Sequence, residues 1–401
     1  MPAMPTATSA RRAVVSLGVD RLLDTDRALI KGARVGLVCN PASVDASFRH
    51  TADRLLADPE LRLAALFGPQ HGFRSNLQDN MIESPHGTDA RRQVPIYSLY
   101  SETREPTADM LADIDVLVVD LQDVGTRVYT FVYTMANCMR AAARHGVRVV
   151  VCDRPNPIGG DAVEGPVLRE PWTSFVGQFQ IPLRHGMTIG ELARLFNDEF
   201  GVGCALDVVP LDGWRRDMFL DETGQPWVIP SPNLPTLDSA IVYPGTVLIE
   251  GTMLSEGRGT TRPFELIGAP WIDGERLADA MNARELPGAH FRPMFFEPTF
   301  QKHARETCGG CQIHVTDRVA FEPVRTAVEL IAEFRREDPA RFAWRQPPYE
   351  YEHDKEPIDI LFGSDGLRTT VNVGGDVSAL ISSWSADQEA FQRLRQPFLM
   401  Y

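Results

Sequence analysis

The chain has 401 residues, 43% of them hydrophobic, which is enough to bury sizeable cores and long enough for two to three domains. Asp plus Glu outnumber Lys plus Arg by 54 to 40, a formal charge of −14 spread along the chain rather than gathered in a tail. That balance repels polyphosphate and anionic lipid surfaces, so neither nucleic acid nor membrane is expected as a partner, while a local basic pocket for a small anion remains compatible with it.

The first segment, "MPAMPTATSARRAVVSLGVDRLL", carries two arginines, but its apolar stretch "AVVSLGV" is short and broken for a signal-peptide core and Asp20 follows at once. No window approaches the roughly 18 apolar residues of a membrane span. A frayed start over 1–18 and a cytoplasmic protein are expected, with the periplasm as the alternative. Through the first 155 residues a short β-branched apolar run repeatedly ends in a polar, Pro- or Gly-containing loop: "RVGLVCNPAS" (34–43), "LRLAALFGPQHG" (61–72), "VPIYSLYSE" (94–102), "DVLVVDLQDVGTR" (115–127) and "VRVVVCDRPNPIGG" (147–160). Helix-like segments lie between them, clearest in "FVYTMANCMRAAARHG", where Phe131, Met135, Cys138 and Ala142 share a face and Gly146 offers a C-cap. Continuous apolar strands alternating with helices predict a parallel sheet covered on both faces, with ligands bound beyond the carboxyl ends of its strands.

After a loop-rich stretch to about 186, Thr188 and Glu191 have the spacing of a capping box, and Ile189, Leu192, Leu195 and Phe196 form an apolar stripe. From there "CALDVVPL", "CQIHVTD", "EPVRTAVELIAEFRRE" and "VSALISSWSADQEAFQRL" read as a second, mixed α+β domain. The Pro-rich segments "IPSPNLPTLDS" and "RQPPYEYEHDKEP" mix in aromatic and apolar residues and are expected to be ordered loops rather than linkers. Six cysteines are too sparse for a disulfide framework. Cys308 and Cys311 form one CxxC without a second, so a turn entering the strand "CQIHVTD" is expected there rather than a metal site.

The strand ends lack a G-x-G-x-x-G, a P-loop and a G-x-S-x-G elbow, which removes most of the case for a nucleotide or an acyl nucleophile. They carry instead the carboxylates, amides and arginines used to hold and cleave a sugar. The loop "GPQHGFRSNLQDNMIES" (68–84) gathers His71, Arg74, Gln78, Asp79 and Glu83, and the fourth strand end adds Asp120 and Asp123. Further on, "IEGTMLSEGRGTTRPFELIGAPW" (249–271) supplies Glu250, Glu256, Arg258, Arg262 and Glu265 among glycines. Each has a plainer reading. Asp120 is placed to bond loop amides, Asp123 to cap a helix, Glu83 to sit in solvent and His71 to pack a loop. Arg258 and Arg262 have Glu256 and Glu265 nearby as surface partners, although "SEGRGTTR" also suits an anionic ligand group.

The series "GPQHGFR", "DLQDVGTRVYTFVYTM", "DRPNPIGG", "EGPVL", "PLRHGMTIGEL", "PSPNLPT", "EGTMLSEGRGTTRPFELIGAPW" and "FLMY" resembles the NamZ-type (YbbC-like) exo-β-N-acetylmuramidases, over residues 18 to 401 and in the same order. The resemblance implies a Rossmann-like α/β domain over 19–186, a smaller C-terminal α+β domain over 187–401 and an active-site cleft between them. It further implies release of N-acetylmuramic acid from the non-reducing end of peptidoglycan fragments such as MurNAc-GlcNAc, without cofactor or metal. One departure is visible: the family loop carries an acidic residue directly before the His-Gly pair, and this chain has Gln70 there.

The mechanism expected from these residues gives Glu83 the role of general acid and leaves Asp120 ionised to activate water or to stabilise the oxocarbenium-like charge, with His71 and Asp123 orienting both. Gln70, Arg74, Gln122, Arg127, Arg154, Asn156, Asn233, Glu256, Arg258 and Arg262 are the expected substrate contacts. Arg258 or Arg262, then Arg127, is expected to read the lactyl carboxylate that distinguishes muramic acid from glucosamine. A non-catalytic muropeptide or sugar-acid binder, and a hydrolase of another amino sugar, are the alternatives on the same fold.

Overall fold

A computed structural model describes residues 15–78 and 81–401. The five anticipated apolar runs become strands β1 (Arg34–Val38), β2 (Arg62–Gly68), β4 (Pro95–Ser98), β5 (Val116–Val119) and β6 (Arg148–Cys152) of one seven-stranded sheet, which the short β3 (Gly87–Thr88) and the later β9 (Leu206–Val209) complete in the spatial order β3-β4-β2-β1-β5-β6-β9. After β6 the chain leaves this sheet, and β7 (Glu164–Val167) pairs with β8 (Pro182–Arg184) in a separate two-stranded ribbon. All neighbours in the large sheet are parallel except β3 against β4. Val116, Leu117, Val118 and Val119 are all buried, as expected of a strand covered on both faces. One cover is the helix Phe131–His145, whose Phe131, Met135, Cys138 and Ala142 are buried and whose cap, Gly146, takes φ 67°.

The seventh strand is β9 (Leu206–Val209), which pairs parallel with β6. The expected boundary at 186 therefore cuts through the sheet: "CALDVVPL" belongs to the first unit, because an open parallel edge at β6 is covered by adding one more strand. The helix before it, Ile189–Asp198, starts as anticipated, with Thr188 Oγ1 accepting from Glu191 N (3.3 Å) and Glu191 Oε2 from Thr188 N (3.0 Å). The start of the chain also differs from expectation from Val15 onward. Ser16 bridges Asp212, and Gly18 N donates to Asp153 O (2.9 Å), so residues 15–18 are tied to the sheet.

The second unit is an antiparallel sheet of β10 (Leu266–Ala269), β11 (Ala289–Phe296) and β12 (Cys308–Val315) in the order β10-β12-β11, backed by helices that include Gly274–Asn282 and Pro323–Glu337. Cys308 and Cys311 are not in a turn but form the first half of β12, buried and unpaired. The helices Leu237–Thr246 and Pro323–Glu337 pack so closely that a Cβ on Gly245 would lie 1.8 Å from Pro323 O. Among the described residues no helix is long and apolar enough to cross a membrane.

The chain order along the large sheet reverses at β1, with β2 and β4 to one side and β5 and β6 to the other. Loops that follow adjacent strands at such a reversal diverge and leave a crevice at the carboxyl edge. Here the crevice is roofed from the later half of the chain. Asn40, just past β1, donates through Nδ2 to Pro230 O (2.8 Å), and Asn233 donates to Gln78 O (3.1 Å).

Candidate active site

Beneath that roof lies a narrow pocket of about 30 Å³. Gln70, His71 and the segment Val128–Phe131 line it from the strand-end loops, while Ser231, Asn233, Tyr243, Glu250, Arg258, Phe264, Tyr349 and Glu350 line it from the second half of the chain. The loop after β2 turns sharply into the pocket, with His71 at φ 70° and Gly72 at φ 79°. His71 Nδ1 donates to Leu77 O (2.7 Å), since a carbonyl can only accept, and its Nε2 is hydrogen-bonded with Ser231 Oγ (3.2 Å). Gln70 is oriented by the same logic: its Oε1 accepts from Thr130 Oγ1 (2.7 Å), and its Nε2 donates to Glu350 Oε1 (3.2 Å).

Glu350 comes from the second Pro-rich segment and is 2% exposed. Its Oε2 accepts from Tyr100 Oη (2.8 Å). Burial pushes its pKa up to about 7 against the opposing bonds from Tyr100 and Gln70, with Glu250 adding to the rise and Arg104 offsetting part of it.

The other wall is a buried chain of charges. Tyr349 Oη donates to Glu250 Oε2 (2.9 Å), Arg258 Nη2 to Glu250 Oε1 (2.6 Å), Arg258 Nε lies 3.3 Å from Glu256 Oε1, and Lys302 Nζ donates to Glu256 Oε2 (2.9 Å). Two carboxylates and two cations cancel, which is how ionic groups persist in an interior. Burial alone would raise Glu256, yet Lys302 and Arg258 hold it below its ordinary value. Among the described residues, two polar atoms of the pocket lining stay buried without a hydrogen-bond partner, Arg258 Nη1 and Tyr129 Oη. An unmet buried donor costs on the order of 1–3 kcal/mol, a cost that a bound acceptor removes.

Profiles of the exo-β-N-acetylmuramidase NamZ match this chain in two consecutive parts, the N-terminal domain over residues 35–238 and the C-terminal domain over 241–401. The chain belongs to the NamZ exo-β-N-acetylmuramidase family. Its relative from Bacillus subtilis (strain 168), the peptidoglycan β-N-acetylmuramidase NamZ, is 45% identical over 98% of this chain and 93% of its own. The crystal structure of a DUF1343 family protein from Bacteroides fragilis NCTC 9343 superposes with a TM-score of 0.88 at 36% identity, covering 97% of this chain and all of that one. A second DUF1343 protein of the same organism gives 0.76 at 27% identity over 96% and 99%. The break between the matched family domains, near 240, also lies well beyond 186.

Of the residues singled out from the sequence, Gln70, His71, Asn233, Glu250 and Arg258 line the pocket, and Glu256 stands behind Arg258. The expected acid does not. The Glu83 side chain is 49% exposed at the rim, 3.6 Å from Arg104, outside the pocket lining. Asp120 is 0% exposed and closed off, its oxygens taken by Arg154 Nε (2.5 Å), Arg154 Nη2 (3.0 Å) and the Thr51 hydroxyl, so it cannot reach water or a sugar carbon. Arg154 is thereby spent on Asp120 and on Val44 O. Asp123 holds its own turn through Gly125 N (2.8 Å) and lies 3.3 Å from the buried His185 Nε2.

Arg127 is fully buried and donates to Pro166 O, Ile181 O and Leu361 O, and burial pushes its pKa down to about 10. It stitches the two units together rather than meeting a ligand. Gln122 and Asn156 likewise bond backbone carbonyls, of Asp123 and Pro155 and of Met187 respectively. Arg262, with its side chain 43% exposed, pairs with Asp238 and Glu265 away from the pocket. Arg74 lines a separate open groove with His50, Phe73, Arg91 and Arg92. Asp79 lies outside the described residues. Sequence reasoning missed Glu350 and Tyr349. The one signal available was their position in a Pro-rich segment, "PPYEYE", in which tyrosine and glutamate alternate.

Proposed function

We propose that this protein is an exo-acting glycosidase that releases N-acetylmuramic acid from the non-reducing end of peptidoglycan fragments of the MurNAc-GlcNAc type. Family membership and the activity named for the Bacillus subtilis relative support the reaction class. The observation that carries the reading is a pocket lined from both halves of the chain that holds a buried carboxyl, Glu350, and an arginine with an N–H unfilled among the described residues, Arg258. Muramic acid differs from glucosamine by a lactyl ether ending in a carboxylate. Arg258 Nη1 is the donor we assign to that carboxylate, because Arg258 lines the pocket, whereas Arg127 and Arg262 do not and Arg262 pairs with Glu265. The compensating charges of Glu250, Glu256 and Lys302 keep the guanidinium fixed without leaving it in net excess.

The test is incubation of the purified protein with synthetic MurNAc-GlcNAc and detection of free N-acetylmuramic acid by mass spectrometry. Release is expected. Cleavage of GlcNAc-GlcNAc in its place would overturn the substrate, and saturable binding without turnover would overturn the enzyme. A cytoplasmic site of action is part of the same proposal, and assay of the activity in separated cell fractions tests it.

A further inference from the structure

We propose that Glu350 is the general acid of this site, the group that protonates the leaving oxygen as the glycosidic bond breaks. The inference rests on the glycosidase reading above and adds the residue that performs the proton transfer.

Three geometric observations converge on it. Glu350 is a carboxyl inside the pocket and almost wholly buried, whereas Glu83 sits at the solvent rim and Asp120 is closed off by Arg154. The only other carboxylate among the described lining residues, Glu250, is taken up by Arg258 and Tyr349. Second, its side chain is aimed rather than loose. Tyr100 and Gln70 hold its two oxygens from the first half of the chain, 250 and 280 residues away, and Thr130 fixes Gln70 in turn. Third, Glu350 and Tyr351 take φ values of 46° and 68° in succession, a left-handed conformation that non-glycine residues rarely adopt and that surrounding structure must impose. That turn is what carries the carboxyl into the pocket, while Tyr351 stays 44% exposed and lies over Arg104, 4.5 Å from ring centre to guanidinium.

The electrostatics agree with the geometry. The charged and titratable groups around Glu350 are Tyr100 and Arg104 from the segment after β4, His71 from the loop after β2, Tyr129 from the segment after β5, Tyr243, Glu250 and Arg258 from the second half of the chain, and Tyr349 beside it. Burial outweighs the rest and keeps the carboxyl protonated up to about pH 7. In the reaction the C1–O bond breaks with its electron pair passing to the leaving oxygen, which takes the proton from Glu350. Water adds to C1, and the proton it gives up restores the acid form of Glu350, directly or through solvent. Substrate and water thus become two free sugars with no net change in protons.

Glu350→Gln and Tyr100→Phe, compared with the wild type between pH 5 and 9 on MurNAc-GlcNAc and on 4-nitrophenyl β-MurNAc, test the assignment. Wild-type kcat/KM is expected to fall above about pH 7, where the acid has lost its proton. Glu350→Gln should lower kcat on the disaccharide by roughly 10²–10⁴-fold and abolish that limb, yet slow the aryl glycoside by about tenfold or less, because nitrophenolate leaves without a proton. Tyr100→Phe removes a donor to the ionised carboxylate and should move the limb to higher pH. Equal losses on the two substrates, disaccharide cleavage within about tenfold of wild type, or an unmoved limb in Tyr100→Phe would overturn it. Tyr100→Phe decides the matter alone if Glu350→Gln does not fold. Absence of N-acetylmuramic acid release by the wild type would overturn the functional reading instead, and is scored before any variant.

Discussion

Arg258→Lys is the sharpest probe of substrate choice. The lysine keeps one positive charge between Glu250 and Glu256, 2.6 and 3.3 Å from the present guanidinium, and so avoids leaving two buried carboxylates uncompensated. Removing a partner outright from such a group costs about 3–5 kcal/mol and would confound the assay with unfolding. What the lysine loses is the fork, and with it the Nη1 arm that has no partner among the described residues. Because that nitrogen is buried, its bond to a lactyl carboxylate is charge-assisted and shielded from water, about 1.5–3 kcal/mol. At about 1.4 kcal/mol per factor of ten, discrimination between muramic acid and glucosamine should fall by roughly 10- to 150-fold. The assay is the ratio of inhibition constants for free N-acetylmuramic acid and N-acetylglucosamine as products, with kcat/KM on MurNAc-GlcNAc beside it. The glucosamine constant should hardly move. If both sugars weaken equally, or neither does in a folded variant, Arg258 does not read the lactyl group.

Arg127→Lys is expected to lower the melting temperature, since fewer of the carbonyls of Pro166, Ile181 and Leu361 can be met, while KM for MurNAc-GlcNAc stays unchanged; a raised KM with an unchanged melting temperature would return Arg127 to the site. Asp153 is fully buried and its pKa is pushed up to about 7 by burial, with Glu191 adding to it. Between an ordinary value of 3.8 and about 7 the folded protein therefore binds a proton that the unfolded chain has released, so this group's contribution to stability falls as pH rises through that window. Asp153→Asn should accordingly gain on the wild type in melting temperature by a few degrees between pH 5 and pH 8, and a constant difference would refute the raised pKa.

The sheet was legible because each strand carries its own signal. "DVLVVD" can only be a strand buried on both faces, and Thr188 with Glu191 marks a helix start within four residues. Several misread features depend on a partner from another segment of the chain. Asp120 has the position of a catalytic carboxylate, at a strand end facing the crevice, and Arg154 of the neighbouring strand end removes it from that role. Arg127 follows the same strand and is consumed by carbonyls from as far as Leu361. The domain boundary failed for a related reason, since nothing in "LDVV" says which sheet has an open edge to accept it. Glu350 was the hardest to see. Its chemistry comes from a backbone turn and from burial under segments 250 to 280 residues away, and neither leaves a local pattern.

The span of those two bonds also bears on when the protein becomes active in the cell. Gln70 and Tyr100 leave the ribosome long before Glu350 is made, and at about 5–20 residues per second the 280 residues between Gln70 and Glu350 take roughly 15–55 s to synthesise. The large sheet, complete once β9 is out, has ample time to fold first. During that interval the nascent chain has half a pocket and no buried carboxyl in it, so translation itself delays the appearance of cell-wall-cleaving activity until almost the whole polypeptide exists.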